Sequence, residues 1–133
     1  MRRDAREAVY KILFAERFND TTDNDFEKFV YEDMNLSEED KAFAVSLLTT
    51  IRSNTDEINS IIANFATKYK PERIYPTDKC ALSLAIAELK YFDDIPSIVS
   101  IDEALSLVRK FSTEESLNFV NGILAAYKKS IEG

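Results

Sequence analysis

Only two glycines and three prolines punctuate the 133 residues of this chain. Sheet proteins reverse direction every few residues and draw heavily on those two residue types, so the scarcity argues against an all-β fold. In place of β alternation, apolar residues return every three or four positions, the period of a helix with one buried face. Ala44, Leu47, Leu48 and Ile51 form one such stripe. Ile58, Ile61, Ile62 and Phe65 form another, and Ala81, Leu82, Ala85, Ile86 and Leu89 a third. The expected architecture is all-α, with six to seven helices.

Helix-start signals divide the chain accordingly. Asp4 with Glu7 reads as a capping box for a first helix over roughly 5–18, and the polar stretch 19–24 ends it. A short helix around Phe26, Phe29 and Val30 follows, and Ser37 reads as the cap of a third. Thr55 precedes a fourth and Thr77 caps a fifth. Ser100 with Glu103 is a second capping box, opening a helix to about Phe111, and Thr113 caps the last, to about Ser130. Pro71 and Pro76 leave room for at most one helical turn between them. They mark the boundary between two expected sub-bundles of one domain, roughly 1–70 and 77–133.

The side-chain inventory excludes most chemistry. Histidine is absent and Cys80 is alone, which removes Ser-His-Asp and Cys-His catalysis, the usual zinc sites and any internal disulfide. No Gly-rich phosphate loop is present, so neither an enzyme nor a cofactor is expected. Cys80, inside an apolar helical pattern, reads as a core residue in a protein of the reducing cytoplasm. No apolar run approaches the length that spans a membrane, and no secretory signal follows the N-terminal arginines.

The net charge of −7 discourages nucleic-acid binding only as a sum. Eight acids against one lysine lie between Thr21 and Asp40 and account for all of it. The N-terminal segment keeps a basic surplus from Arg2, Arg3, Arg6, Lys11 and Arg17, and distribution governs local attraction.

Aromatic residues outside the apolar stripes carry further information. On the first helix, Tyr10, Phe14 and Phe18 lie opposite Ala5, Ala8, Val9, Ile12 and Leu13, beside Arg3, Arg6 and Arg17. Guanidinium groups and rings on one face suit single-stranded RNA. A helix buried on two sides, with the rings in the core, explains the same pattern. On the last helix Phe119 lies off the stripe of Leu117, Val120, Leu124 and Tyr127, which points to contact with another helix or with a ligand. Gly122, mid-helix, should cost ~1 kcal/mol against Ala, and close approach of a neighbouring backbone is the expected return.

The run Ile101-Asp102-Glu103-Ala104-Leu105, then Val108-Arg109-Lys110-Phe111, then Asn118-Phe119-Val120-Asn121-Gly122-Ile123-Leu124 resembles the C-terminal signature of the NusB family. Arg2-Arg3 with Ala5-Arg6-Glu7 is similar to the family's N-terminus, and Asp78-Lys79 through Glu88-Leu89 matches in order and spacing. Residues 19–70 are similar only in helical pattern and length. The resemblance implies a bundle of two sub-bundles and a non-enzymatic factor that binds boxA-type single-stranded RNA. The implied partners are the ribosomal protein NusE and an antitermination complex with RNA polymerase, acting on ribosomal RNA transcription. It places RNA contacts at Arg2, Arg3, Arg6, Phe14, Glu115, Asn118 and Phe119, and a protein-partner surface at Asp78, Lys79 and Leu82. Asp4, Ser83 and Asn118 stand where the family often carries basic residues, and Ala87 where it has tyrosine, which lowers the RNA affinity expected of the chain alone. Two other readings stay open: a protein-binding module or homodimer without RNA binding, and the NusB-like domain of an RNA methyltransferase, although no catalytic domain follows within this sequence.

Overall fold

A computed structural model describes residues 2–19, 23–67 and 73–132, with only the backbone described for Phe18 and Asn19. They form seven helices: α1 (Arg2–Asn19), α2 (Asn24–Asp33), α3 (Glu38–Ser53), α4 (Thr55–Phe65), α5 (Pro76–Tyr91), α6 (Ser97–Phe111) and α7 (Glu114–Glu132). The all-α expectation holds, with no strand among the described residues.

α5 is the axis of the molecule, packing against α1, α3, α4, α6 and α7. Its residues Ala81, Leu82, Leu84, Ala85, Ile86 and Ala87 are all buried, so it is apolar around its whole circumference rather than along one stripe. The small alanines at 81, 85 and 87 are what allow neighbours on every side at helix-packing distance. Cys80 belongs to this core, and burial pushes its thiol up to about 12, which makes it an inert packing residue. Arg52 on α3 ties down the periphery, pairing with Glu16 of α1 and with Glu27 of α2 at 3.0 Å.

Some helix starts lie where local chemistry puts them. The Ser37 hydroxyl accepts the Asp40 amide at 3.1 Å and the Thr113 hydroxyl accepts the Ser116 amide at 3.0 Å, both in the N-cap manner. Others need correction. α1 already begins at Arg2, which leaves Asp4 inside its first turn. α5 begins with Pro76 in its first turn, where a missing N–H costs nothing, and Thr77 is helical rather than capping. α6 begins at Ser97, three residues before the expected capping box, and the Ser100 hydroxyl is buried and bonded to another helix.

Gly122 is a further correction. Among the described residues, no heavy atom outside its own stretch of α7 lies within 4 Å of the position a Cβ would occupy there, so none of their backbone makes the close approach expected.

Candidate nucleic-acid interface

The basic cluster is built on the first turns of α1. Arg2 and Arg3 are exposed, and each has an acidic neighbour. Arg3 donates Nε and Nη2 to the two carboxylate oxygens of Glu103 on α6, at 3.0 and 3.2 Å. This fork raises the Arg3 pKa above its ordinary value. The Arg2 guanidinium lies 4.3 Å from the centre of the Phe43 ring and 4.0 Å from Asp94. Both arginines are therefore held splayed over a patch formed by α3, α6 and the α5–α6 turn. A bidentate guanidinium that forks onto a carboxylate has the geometry to fork onto a phosphate.

Arg6 differs. It is 5% exposed, and its Nε and Nη2 donate to Glu88 of α5 at 2.7 and 2.8 Å. The Ser100 hydroxyl donates to the same carboxylate at 2.8 Å. Arg6 thus sits inside the protein, clamping α1, α5 and α6 together, rather than standing exposed beside Arg2 and Arg3. Glu7 one position on is ordered by Lys110 at 2.6 Å and Lys11 at 3.2 Å. Burial alone would raise its pKa, but these two ammonium groups outweigh that and leave the carboxyl below its usual range.

The aromatic face of α1 divides. Tyr10 is buried, stacked on Phe111 at 5.3 Å, with its hydroxyl donating to the Thr77 carbonyl at 3.0 Å. Burial pushes that phenol well above the ordinary tyrosine range. For Tyr10 the reading of a helix buried on two sides is correct. Phe14, one turn further, is half-buried against the core, and the Phe18 side chain falls outside the described residues.

A second cluster gathers where α5 begins and α7 begins. A cleft there is lined by Arg73, Ile74, Tyr75, Asp78, Glu115, Ser116 and Phe119. Phe119 is half-buried, Glu115 and Asn118 are exposed, and Tyr75 stands 62% exposed at the rim. Tyr75 and Arg73 were not singled out from sequence. They lie beside two prolines, where no helical stripe exists against which to notice an off-stripe residue.

Asp78 holds this corner together. Its carboxylate accepts the Ser112 hydroxyl at 3.0 Å and the Ser116 hydroxyl at 2.7 Å, joining the start of α5 to the end of α6 and the start of α7. At the N-terminal turn of α5 the charge is also favoured by the helix dipole. Asp78 is 2% exposed and Leu82 is fully buried, so both serve the packing of this corner rather than an open surface. Lys79, between them, is half-buried. Burial lowers its pKa, and the nearby Arg17 lowers it further.

Among the described residues no helix is long and apolar enough to cross a membrane. The NusB family model matches residues 3–129. The transcription antitermination protein NusB of Alkaliphilus oremlandii is 37% identical over 131 residues, covering 95% of this chain and 91% of that protein. A crystal structure of antitermination factors NusB and NusE in complex with double-stranded RNA superposes with a TM-score of 0.88 at 26% identity, covering 97% and 96% of the two chains. The T. maritima NusB structure gives 0.86 at 32% identity, over 97% and 91%. Sequence and fold agree along nearly the whole chain, which belongs to the NusB family of transcription antitermination proteins, binding factors rather than enzymes.

Proposed function

We propose that this protein binds boxA-type single-stranded RNA jointly with the ribosomal protein NusE, in an antitermination complex with RNA polymerase that supports ribosomal RNA transcription. The observation that carries this reading is the likeness, over 97% of the chain, to a NusB crystallised with NusE and double-stranded RNA, and the single-stranded form rests on the family resemblance. The local geometry suits it. Arg2 and Arg3 supply phosphate contacts at one end of α1, and Phe14, Glu115, Asn118 and Phe119 supply ring and polar contacts further along. From Arg3 to Phe14 the helix advances ~16 Å at 1.5 Å per residue, a span of a few nucleotides. Arg6 serves the site as a positioning residue, by fixing α1 on α5.

For the protein partner, the reading moves from Asp78 and Leu82 to the outer side of the same helix. Lys79 and Arg17 repel one another there, and an acidic side chain of the partner would relieve both.

Titration of a boxA-type oligoribonucleotide, with and without the partner, tests the reading. Phe119→Ala is expected to weaken binding by about tenfold, the usual scale for one stacked base. Arg3→Ala should lower the slope of log affinity against log salt by ~0.7, the loss of one single-strand phosphate contact. Unchanged affinity in both variants would refute the site. A further expectation concerns Glu103, which occupies the Arg3 fork in the free protein. Glu103→Gln should raise RNA affinity a few-fold and lose that gain at high salt, whereas weaker binding at low salt would show that Glu103 serves RNA by orienting Arg3 rather than competing for it.

A further inference from the structure

We infer that Lys110 is a further phosphate contact of the RNA strand, held by Glu7 in the free protein and handed over on binding, while Lys11 stays behind to neutralise that carboxylate. The inference deepens the RNA-binding reading and rests on it. A groove between α1 and α6 is lined by Arg3, Glu7, Glu103, Ser106, Leu107 and Lys110, among others. Two ion pairs cross it, Arg3 with Glu103 and Lys110 with Glu7. They lie ~6 Å apart along α1 and ~10 Å apart along α6, a spacing that successive phosphates of one strand can bridge. The second pair also stands between the two clusters of the candidate site. Beyond Lys110 comes Phe111, stacked on Tyr10, and then Ser112, bonded to the Asp78 that lines the Phe119 cleft.

Glu7 supplies the independent observation. Its one carboxylate holds two ammonium groups, Lys110 on Oε1 at 2.6 Å and Lys11 on Oε2 at 3.2 Å. A single cation neutralises it, so one positive charge is left over. The two lysines differ in how freely they can leave. Lys11 stands four residues on in the same helix, and its Nζ also reaches the Met34 sulfur at 3.9 Å. Lys110 comes from another helix, its side chain is 58% exposed, and it lines the groove that holds Arg3. An ion pair so exposed is worth little in water, whereas a lysine set on a phosphate releases a condensed counterion. The Glu7 side chain is 14% exposed, too buried to be left without a cation. With Lys11 in place, Lys110 can go without that cost.

Lys110→Ala is expected to bind the boxA-type oligoribonucleotide several-fold more weakly and to lower the slope of log affinity against log salt by ~0.7. Lys128→Ala removes the same charge near the far end of α7 and should change neither. Lys11→Ala should also weaken binding, because Glu7 then keeps Lys110, and adding Glu7→Gln should restore it. Weaker binding in Lys110→Ala at an unchanged slope would mean that the residue only ties α6 to α1, and would overturn the contact. An equal fall of slope in Lys128→Ala would make the effect one of net charge and overturn it too. Wild-type affinity in Lys11→Ala, or a loss there that persists with Glu7→Gln, would overturn the exchange. If Lys110→Ala binds as wild type while Arg3→Ala and Phe119→Ala are weakened, the inference falls and the RNA reading stands. If those two variants also bind as wild type, the RNA reading itself falls, and the contact with it.

Discussion

Arg6→Ala is expected to lower the free energy of unfolding by about 3–5 kcal/mol, because it leaves the Glu88 carboxylate buried with its cation removed. Glu88 is 1% exposed and accepts three hydrogen bonds, two of them from Arg6. Loss of the guanidinium leaves only the Ser100 hydroxyl, far too little to hold a carboxylate away from water. Arg6→Lys should recover little, since an ammonium cannot make the two parallel bonds of the fork. The double replacement Arg6→Met with Glu88→Leu should recover most of the loss, because apolar residues of similar volume remove the unpaired charge altogether. Urea denaturation of the three variants measures these differences. The functional consequence follows from the structure: RNA affinity in the double variant, once folded, should approach that of the wild type. Arg6→Ala with full stability and abolished RNA binding would instead make Arg6 a direct contact, contrary to its burial.

Leu82→Ala is expected to cost about 2–5 kcal/mol, the range for removing a fully buried leucine and leaving a cavity. Leu82 lies on the helix that every layer of the molecule packs against except α2, so its surroundings have little freedom to collapse into the space. Its effect on association with a protein partner should vanish when measured at a temperature where the variant is folded. Lys79→Ala should behave in the opposite way, with little change in stability and weaker association. Leu82→Ala that destabilises by under ~1 kcal/mol yet loses the partner would return Leu82 to the interface. Thermal unfolding and partner titration on the same two variants separate the outcomes.

The two clusters of the candidate site were unequally legible. Phe119 stood out because a helical stripe predicts where an apolar residue should lie, and it lay elsewhere. Tyr10 stood out in the same way and proved to be core, since its ring stacks on Phe111 of α6 and its hydroxyl reaches the Thr77 carbonyl of α5. Periodicity identifies a residue that faces away from the main stripe. It carries no information on whether a second element waits there. Tyr75 and Arg73 could not be found by this means, because their segment has no stripe.

Charge was subject to the same limit. The N-terminal arginines form one basic run in the sequence, yet Arg3 is held at the surface by Glu103 while Arg6 is drawn inside by Glu88. Their partners are 100 and 82 positions away, and helical phase alone does not reveal them. Local caps were read correctly where the bond is local, at Ser37 and Thr113. The reading failed at Ser100, whose hydroxyl spends its hydrogen bond on Glu88 of a different helix.

The sequence by itself therefore determined the helical class, the approximate elements and the family signature, since these depend on spacing within a few turns and on residue order. Only the tertiary structure decided which charged and aromatic side chains remain at the surface. Burial and ion pairing are settled by elements distant in the chain, and it is those contacts that leave Arg2 and Arg3 exposed and Phe119 half-buried at a cleft while Arg6, Tyr10 and Asp78 hold the scaffold.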